Sequence, residues 1–262
     1  MKISIENIKQ KKGNKKIICL TSYSFPIAKI LDNLVDIILV GDSVAMAVYG
    51  ETDTTSADLK MMISHGKAVV RACKRVLVVV DMPINSYENS KKTALQNAKK
   101  IIEETKCDAV KIEITEDLIE TAKYLVENGV NVMGHVGLLP QHVKEIGGYK
   151  YQGKDKESAQ KIYEIAKKLD KTGIFSLVIE AVPAKLASKI SKNIKIPTIG
   201  IGASQDCDGQ ILVIDDLLGL NTEFKPKFVE NYENLSQKIS VAVENFGKDV
   251  VNGKFPTKKN IL

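Results

Sequence analysis

Acidic side chains close several of the short apolar runs in this 262-residue chain. Asp42, Asp81 and Glu113 each stand at or just beyond the end of such a run, and they offer only hard oxygen ligands. Carboxylates without a thiolate suit Mg²⁺ that keeps part of its water shell, and they disfavour Zn²⁺ or copper. The sequence therefore predicts a magnesium site. Asp215 and Asp216 follow the last run and are secondary candidates, because helix capping explains them equally well.

Three further titratable residues accompany these carboxylates. Lys111 precedes Glu113 by two residues, so in a regular strand both side chains point to the same face. Such a lysine is either a charge partner of the carboxylates or a contact for an anionic substrate. Glu180 follows an apolar run and is a candidate general base, or else part of a structural ion pair. His135 lies within a predicted strand, where a hydrogen-bonded interior role is the simpler explanation.

The apolar runs that would position these residues have the pattern of parallel strands. Several are apolar at consecutive positions, which is typical of strands covered on both faces. Amphipathic segments with three- and four-residue spacing separate them, among them residues 94–102, 118–126 and 159–169. We predict eight strands, over residues 17–22, 36–40, 75–80, 109–114, 131–136, 174–179, 196–201 and 210–214.

The predicted fold class is α/β, specifically a (β/α)8 TIM barrel. Eight strand–helix units in a chain of about 250 residues match the usual size of that fold. The alternative, an open doubly wound sheet, is disfavoured because no G-x-G-x-x-G motif opens the first helix. We expect one domain over residues 1–262, with a helical or frayed lead-in at residues 1–14 and a final helix at 231–247. In such a barrel the active site forms at the carboxyl ends of the strands, where the candidate residues fall.

Composition and charge limit the kinds of molecule that this protein is expected to bind. The chain has 38 basic and 32 acidic residues, a net charge of +6. Lysines spread along the whole chain indicate solvated helix faces rather than a nucleic-acid site, although they favour an anionic substrate. The apolar runs are too short to cross a bilayer, and the first residues lack the apolar core of a signal peptide. We expect a cytoplasmic protein that binds neither nucleic acid nor membrane.

Eight segments together resemble the ketopantoate hydroxymethyltransferase family. Each segment alone is a weak signal, but all eight occur in the family's order and at its spacing. They are LVGDSVAM (39–46), VDMPINSY (80–87), VKIE (110–113), GHVGLLPQ (134–141), GGYKYQGK (147–154), IEAVP (179–183), IPTIGIGA (196–203) and DGQILV (208–213).

The resemblance implies both a fold and a reaction. The fold is a barrel of the phosphoenolpyruvate/isocitrate-lyase-like superfamily, assembled as a homodecamer. The reaction is the first step of pantothenate biosynthesis, in which a Mg²⁺-dependent enzyme transfers a hydroxymethyl group from 5,10-methylenetetrahydrofolate to 3-methyl-2-oxobutanoate and yields 2-dehydropantoate (ketopantoate). The alternative is a related metal-dependent aldolase or lyase that acts on another 2-oxo acid. The Lys-Cys-Gly-His loop of isocitrate-lyase-like enzymes does not occur in this sequence.

The resemblance also implies roles for individual residues. Asp42 and Asp81 would hold Mg²⁺, and Glu113 would reach the ion directly or through water. Glu180 would accept the substrate proton. Four side chains of the family's residue types would contact the 2-oxo acid, namely Asp42, Ser43, Asp81 and Lys111.

Several positions near these motifs depart from the family pattern. The substituted family residues are an acid, a Thr-Leu-x-Val-Thr segment, two glycines, a threonine and a cysteine. In this chain these positions hold Ser24, residues 54–58, Ile114 with Thr115, Leu139 and Ala181. None is an implied metal ligand or the implied base, so the departures bear on substrate and rate more than on reaction type.

Overall fold

Short segments rich in valine and isoleucine form the strands of a parallel sheet. The computed structural model describes residues 1–221 and 226–261. Eight strands lie within these residues: β1 Ile17–Thr21, β2 Ile37–Val40, β3 Leu77–Asp81, β4 Ala109–Glu113, β5 Val132–Gly137, β6 Ser176–Glu180, β7 Thr198–Ile201 and β8 Gly209–Leu212.

The eight strands close into a barrel in which each strand lies parallel to the next one along the chain. β8 pairs with β1 and completes the ring, with Ile17 opposite Gly209 and Cys19 opposite Ile211. The predicted (β/α)8 barrel is confirmed. Each predicted strand lies within two residues of the observed one at both ends.

Helices follow the strands and cover the outside of the barrel. The predicted helices at residues 94–102, 118–126 and 159–169 are confirmed. In the part of the chain that the structure describes, the helices up to Val213 are α1 Ile5–Lys9, α2 Phe25–Leu31, α3 Val44–Ala47, α4 Leu59–Ala72, α5 Lys91–Thr105, α6 Ile119–Glu127, α7 Val143–Ile146, α8 Lys156–Leu169 and α9 Ala184–Asn193. Short 3-10 turns occupy Thr54–Ser56, Glu116–Leu118 and Pro140–His142.

Side-chain caps fix where the longer helices begin. The carboxylate of Asp58 accepts a hydrogen bond from the Met61 amide at the start of α4, and Asp155 does the same for Ser158 in α8. These contacts satisfy backbone donors that lack partners in the first turn of a helix. The helices therefore start at defined residues, which sets the length of the loop that joins each helix to the preceding strand.

The amino-terminal helix closes one end of the barrel. Ile8 of α1 is fully buried and belongs to the apolar cluster that fills the barrel interior, together with residues such as Phe175 and Met133. The segment after α1 is tied down by Asp208, whose Oδ2 accepts from Lys12 Nζ at 2.8 Å and whose Oδ1 accepts from the Gly13 amide at 3.0 Å. The lead-in predicted for residues 1–14 therefore contains a helix that seals the base of the barrel.

By internal contacts the chain divides into two compact units, Met1–Val213 and Ile214–Leu262. The second unit contains α10, Ile214–Leu217, and α11, Leu235–Val251. The final helix predicted for residues 231–247 therefore begins four residues later, at a side-chain cap supplied by Asn234. The single-domain organisation remains a prediction. No helix among residues 1–221 and 226–261 is long and apolar enough to cross a lipid bilayer.

The prediction that Asp215 and Asp216 lie at the end of a strand is wrong. β8 ends at Leu212, and both residues belong to the first turn of α10 in the second unit. There Asp216 accepts a hydrogen bond from the side chain of Asn221 at 3.2 Å. Burial raises the pKa of both carboxyl groups.

Candidate active site

Five neighbouring strands bring the remaining predicted residues to the carboxyl end of the barrel. Strand register explains their proximity, because Asp81 pairs with Lys111 and Glu113 pairs with His135 on adjacent strands. Glu180 closes the next strand, β6, opposite Gly137. Asp42 follows β2 by two residues. The sequence-predicted acidic residues, lysine and histidine thus form one cluster, which we call the rim cluster (Asp42, Asp81, Lys111, Glu113, His135 and Glu180).

A buried ion pair lies at the centre of the rim cluster. Lys111 Nζ is 2.9 Å from Asp81 Oδ1, and the two side chains are only 5% and 2% exposed. Asp81 Oδ2 accepts a hydrogen bond from the Asp42 amide at 3.0 Å. Burial raises the pKa of Asp81 to about 7, against the opposing charge of Lys111. Burial alone would lower the pKa of Lys111, but Asp81 and the other nearby carboxylates raise it, so Lys111 is charged at neutral pH.

Gln141, a residue that the sequence analysis did not single out, joins two acidic residues of the rim cluster. Its side-chain Nε2 donates to Asp42 Oδ2 at 2.7 Å and to the Met82 carbonyl at 3.0 Å. Its backbone amide donates to Glu113 Oε2 at 3.1 Å. Burial, followed by the charge of Asp42, raises the pKa of Glu113 well above its usual range.

Tyr87 completes this hydrogen-bonded arrangement. Its hydroxyl donates to Gln141 Oε1 at 2.6 Å and accepts from the Glu113 amide at 3.3 Å. Tyr87 is 1% exposed and Gln141 is 2% exposed. Both residues lie inside segments that carry the family resemblance, yet 54 positions separate them. Their pairing has no local sequence signal, which is why sequence reasoning missed both.

His135 lies between two carboxylates. Its Nε2 is 3.2 Å from Glu180 Oε2, and its Nδ1 is 3.8 Å from Glu113 Oε1. The expected burial is found, with Glu180 as the nearer carboxylate, whereas the hydrogen-bonded interior role remains a prediction. Burial lowers the pKa of His135 despite the neighbouring Glu180 carboxylate, and the ring is therefore neutral at neutral pH.

Glu180 is the carboxylate of the rim cluster that faces the opening. Its side chain is 13% exposed, compared with 1% for Glu113. The backbone beside it is unusual, since Ala181 has a φ of 45° and the Leu138 amide donates to the Glu180 carbonyl at 2.9 Å. Gly137 packs so closely on that carbonyl that a Cβ atom at position 137 would overlap it.

Ser43 and three of the positions that depart from the family pattern lie beside residues of the site. Ser43 is half-buried, and its hydroxyl lies 2.8 Å from the Tyr23 hydroxyl. Ile114 is buried directly after Glu113, and Leu139 is buried just before the turn that carries Gln141. Ala181 occupies the left-handed conformation next to Glu180. These substitutions therefore adjoin the rim cluster without replacing any member of it.

The donor set of the rim cluster fits Mg²⁺. Within residues 1–221 and 226–261, no group of three or more His, Cys, Asp or Glu side chains is arranged to hold a metal ion. Magnesium, however, commonly takes only one or two protein carboxylates and completes its shell with water and substrate oxygens. Burial and mutual repulsion raise the pKa values of Asp81 and Glu113. The rim cluster sets four carboxyl groups against the single ammonium group of Lys111, and a divalent cation would offset this excess of acidic groups.

Structural comparison places the barrel in a known class. The solved structure of 2,3-dimethylmalate lyase, described as a PEP mutase/isocitrate lyase superfamily member, matches 98% of this chain and 92% of its own chain. The TM-score is 0.62 at 11% sequence identity. The chain is therefore a (β/α)8 barrel with the fold of the PEP mutase/isocitrate lyase superfamily.

Sequence comparison identifies the family within that class. A family model described as ketopantoate hydroxymethyltransferase matches residues 2–258. A relative from Acetivibrio thermocellus, named 3-methyl-2-oxobutanoate hydroxymethyltransferase, is 48% identical and covers 97% of this chain and 90% of its own length. A relative of the same name from Anaplasma marginale is 49% identical, covering 98% and 92%. The chain belongs to the ketopantoate hydroxymethyltransferase family, and the resemblance noted in the sequence is confirmed.

Proposed function

We propose that this protein makes ketopantoate by transferring a hydroxymethyl group from 5,10-methylenetetrahydrofolate to 3-methyl-2-oxobutanoate, with Mg²⁺ as cofactor. Family membership and the names of the relatives support the reaction. The observation that carries the mechanism is the buried Asp81–Lys111 pair beside Asp42 and Glu180 at the mouth of the barrel. This arrangement combines a site for a cation, a fixed positive charge and a partly exposed base.

The chemical difficulty is removal of a proton from carbon next to a ketone. That carbon is a very weak acid in water, and a nearby substrate carboxylate makes further negative charge still less favourable. Asp42 and Asp81 would hold Mg²⁺, with Glu113 reaching it directly or through water. When bound, the ion would polarise the keto and carboxylate oxygens of the substrate and stabilise the charge that develops on them.

Lys111 and Ser43 are proposed to orient the 2-oxo acid. The ammonium group of Lys111 is charged and almost fully enclosed, so its field is weakly screened by water. It would offset the charge of the substrate carboxylate, while Asp42 and Asp81 would line the same pocket. Ser43 can offer a hydroxyl because its side chain is only half-buried. Fixed groups of this kind favour one orientation of the substrate before proton transfer begins.

Glu180 is proposed to remove the proton. It lies at the end of β6 with its carboxylate toward the opening, and neutral His135 stands 3.2 Å from it. After deprotonation, the substrate carbon would bond to the methylene carbon of the folate cosubstrate. The bonds from that methylene carbon to the folate nitrogens would break, water would supply the hydroxyl group, and tetrahydrofolate would leave. Because that cosubstrate is large, it must approach from the open end of the barrel, on the side that Glu180 faces.

The first test is the predicted reaction itself. Purified protein incubated with 3-methyl-2-oxobutanoate, 5,10-methylenetetrahydrofolate and Mg²⁺ should yield ketopantoate detectable by mass spectrometry, and EDTA should abolish it. A panel of other 2-oxo acids, with and without folate, separates this reaction from the alternative aldolase or lyase. Product from another acid alone would refute the proposed substrate.

Replacement of the proposed base tests the mechanism. Glu180→Gln retains the shape of the side chain but cannot accept a proton, so kcat should fall about 10²–10⁴-fold while the 2-oxo acid still binds. Binding is measured by calorimetry and turnover by product formation. The matched control is Glu120→Gln, an exposed glutamate of α6, which should leave both unchanged. Near-normal turnover in Glu180→Gln would exclude this residue as the base.

Assembly and location are parts of the same proposal. We infer a cytoplasmic homodecamer with one domain per chain. The family resemblance implies the decamer, whereas the composition and the pattern of elements favour the location and the single domain. Exposed apolar side chains on α11, including Ile239, Val243 and Phe246, are a surface that association would cover. Light scattering during size-exclusion chromatography measures the oligomer mass, and a monomeric protein would refute this part of the proposal.

A further inference from the structure

We propose that Gln141, oriented by Tyr87, is a positioning residue that fixes the orientation of the Asp42 carboxylate for the cation. This inference rests on the proposed function, because it concerns the same site. It assigns a role to Gln141 and Tyr87, which are not among the candidate site residues predicted from the sequence. Both are uncharged and almost completely buried, and neither is proposed to touch the reacting atoms.

The orientation of the Gln141 amide follows from its hydrogen bonds. The Glu113 amide donates to the oxygen of the Tyr87 hydroxyl, so the hydroxyl hydrogen is left to point elsewhere. It points to Gln141 Oε1, at a separation of 2.6 Å. Since Oε1 accepts that bond, the amide nitrogen must lie on the opposite side. Tyr87 therefore determines which end of the Gln141 amide faces Asp42.

The amide nitrogen in turn holds Asp42. One Gln141 N–H donates to Asp42 Oδ2 at 2.7 Å and the other donates to the Met82 carbonyl at 3.0 Å. Both donors are thus used, and the side chain cannot rotate without leaving a buried donor unpaired, which is costly. The bond to Oδ2 thus holds the carboxylate of Asp42 in one orientation.

The same residue also fixes Glu113. The backbone amide of Gln141 donates to Glu113 Oε2 at 3.1 Å, so the loop that carries Gln141 contacts two proposed ligands from one position. These hydrogen bonds form a ring. It runs from the Glu113 amide through Tyr87 and Gln141 back to the Glu113 carboxylate. Groups that orient a metal ligand from behind typically change metal affinity about 10- to 100-fold when removed.

The test measures Mg²⁺ binding separately from turnover. Gln141→Met keeps a similar side-chain length without hydrogen-bonding groups, and Tyr87→Phe removes one hydroxyl. Calorimetric titration with Mg²⁺, alone and with 3-methyl-2-oxobutanoate but without folate, should show a dissociation constant raised about 10- to 100-fold in Gln141→Met. Tyr87→Phe should change it in the same direction by less. The double variant should not exceed Gln141→Met, because Tyr87 acts through Gln141.

Two further readouts separate positioning from a purely structural role. At saturating Mg²⁺, kcat of Gln141→Met should recover most of its loss, whereas a structural defect would persist. Gln160→Met, an exposed glutamine of α8, is the control and should bind Mg²⁺ like the wild type. A folded Gln141→Met with unchanged Mg²⁺ affinity would overturn the proposal. If that variant fails to fold, unchanged affinity in Tyr87→Phe overturns it instead, as would a wild type that binds no Mg²⁺.

Failure of this inference and failure of the proposed function give different results. A wild type that makes no ketopantoate, combined with weakened Mg²⁺ binding in Gln141→Met, would refute the proposed reaction and keep the positioning role. Ketopantoate formation combined with unchanged binding in the folded variants would keep the reaction and refute the positioning role.

Discussion

Lys111 is an enclosed cation whose charge is matched by carboxylates on neighbouring strands. A buried ion pair is not by itself a source of stability, since removing both charges from water offsets much of their attraction. Removing one partner is far more costly, because the other charge is left buried alone. Removal of either Asp81 or Lys111 alone is therefore expected to lower the free energy of unfolding, and this effect can be measured.

We expect Lys111→Met to lower the free energy of unfolding by about 3 kcal/mol at neutral pH in EDTA, because Asp81 loses its buried partner. The double variant Asp81→Asn/Lys111→Met should be more stable than Lys111→Met, since position 81 then holds no carboxyl group that must either stay charged without a partner or take up a proton. Urea unfolding at fixed protein concentration measures both. Lys171→Met, at an exposed lysine, is the control and should stay close to the wild type. A double variant no more stable than the single one would assign Lys111 a packing role instead.

At the scale of elements, the close approach of two strand ends determines where Glu180 lies. Gly137 ends β5 with a φ of 101°, and a Cβ atom there would overlap the Glu180 carbonyl. Position 137 therefore requires glycine for two separate reasons, the backbone conformation and the lack of space. A second glycine distinguishes them, because Gly148 has a φ of 113° but no atom within 4 Å of an added Cβ.

Gly148→Ala should lower the free energy of unfolding by about 1–3 kcal/mol, the usual cost of backbone strain. Gly137→Ala should cost more, because it adds the overlap, and it should also lower kcat by moving Glu180. Urea unfolding and product formation by the folded protein measure the two effects. Equal stability of the two variants would show that the overlap is relieved without displacing β6.

The elements also show which parts of the site the sequence could predict. Consecutive apolar residues predict covered strands, and parallel order then brings Asp42, Asp81, Lys111 and Glu113 to one end. Gln141 could not be found this way. It lies in a 3-10 turn, 99 residues from Asp42, and only the closed barrel brings the two together. The prediction that Asp215 and Asp216 follow a strand end was wrong, because Ile214, the last residue of the predicted strand, belongs to the following helix.

At the scale of the whole chain, one acidic residue, Asp208, connects the segments at the base of the barrel. Asp208 is 8% exposed and joins the segment after α1 to β7, where the Thr198 amide donates to it at 2.8 Å. Burial tends to raise the pKa of Asp208, but Lys12, Thr198 and Gly13 together lower it below its ordinary value of 3.8. The ionised form is therefore favoured by folding, and its contribution to stability depends on pH.

Asp208→Asn should lower the free energy of unfolding by about 1–3 kcal/mol at neutral pH, because the amide has only one accepting oxygen. Lys12 and Thr198 donate to Oδ2 and Gly13 donates to Oδ1, so the NH2 group would face donors on one of the two sides. The wild-type advantage is fully present above pH 3.8 and is lost as the pH falls through the lower folded-state pKa. Urea unfolding at a series of pH values measures the difference. Asp206→Asn, at an exposed aspartate two residues away, should cost less. A difference that does not shrink in acid would contradict the assignment.

The closed base of the barrel also affects the order in which contacts form during protein synthesis. Helix α1 leaves the ribosome before any strand of the barrel, yet the residue that binds the segment after it, Asp208, is added 195 residues after Gly13. Contacts between such distant residues form late, and incomplete chains with open apolar interiors tend to aggregate. A nascent chain that stops before β8 would therefore expose the inside of an unfinished barrel to solvent, with α1 already synthesised but without the Asp208 contact that holds the segment after it.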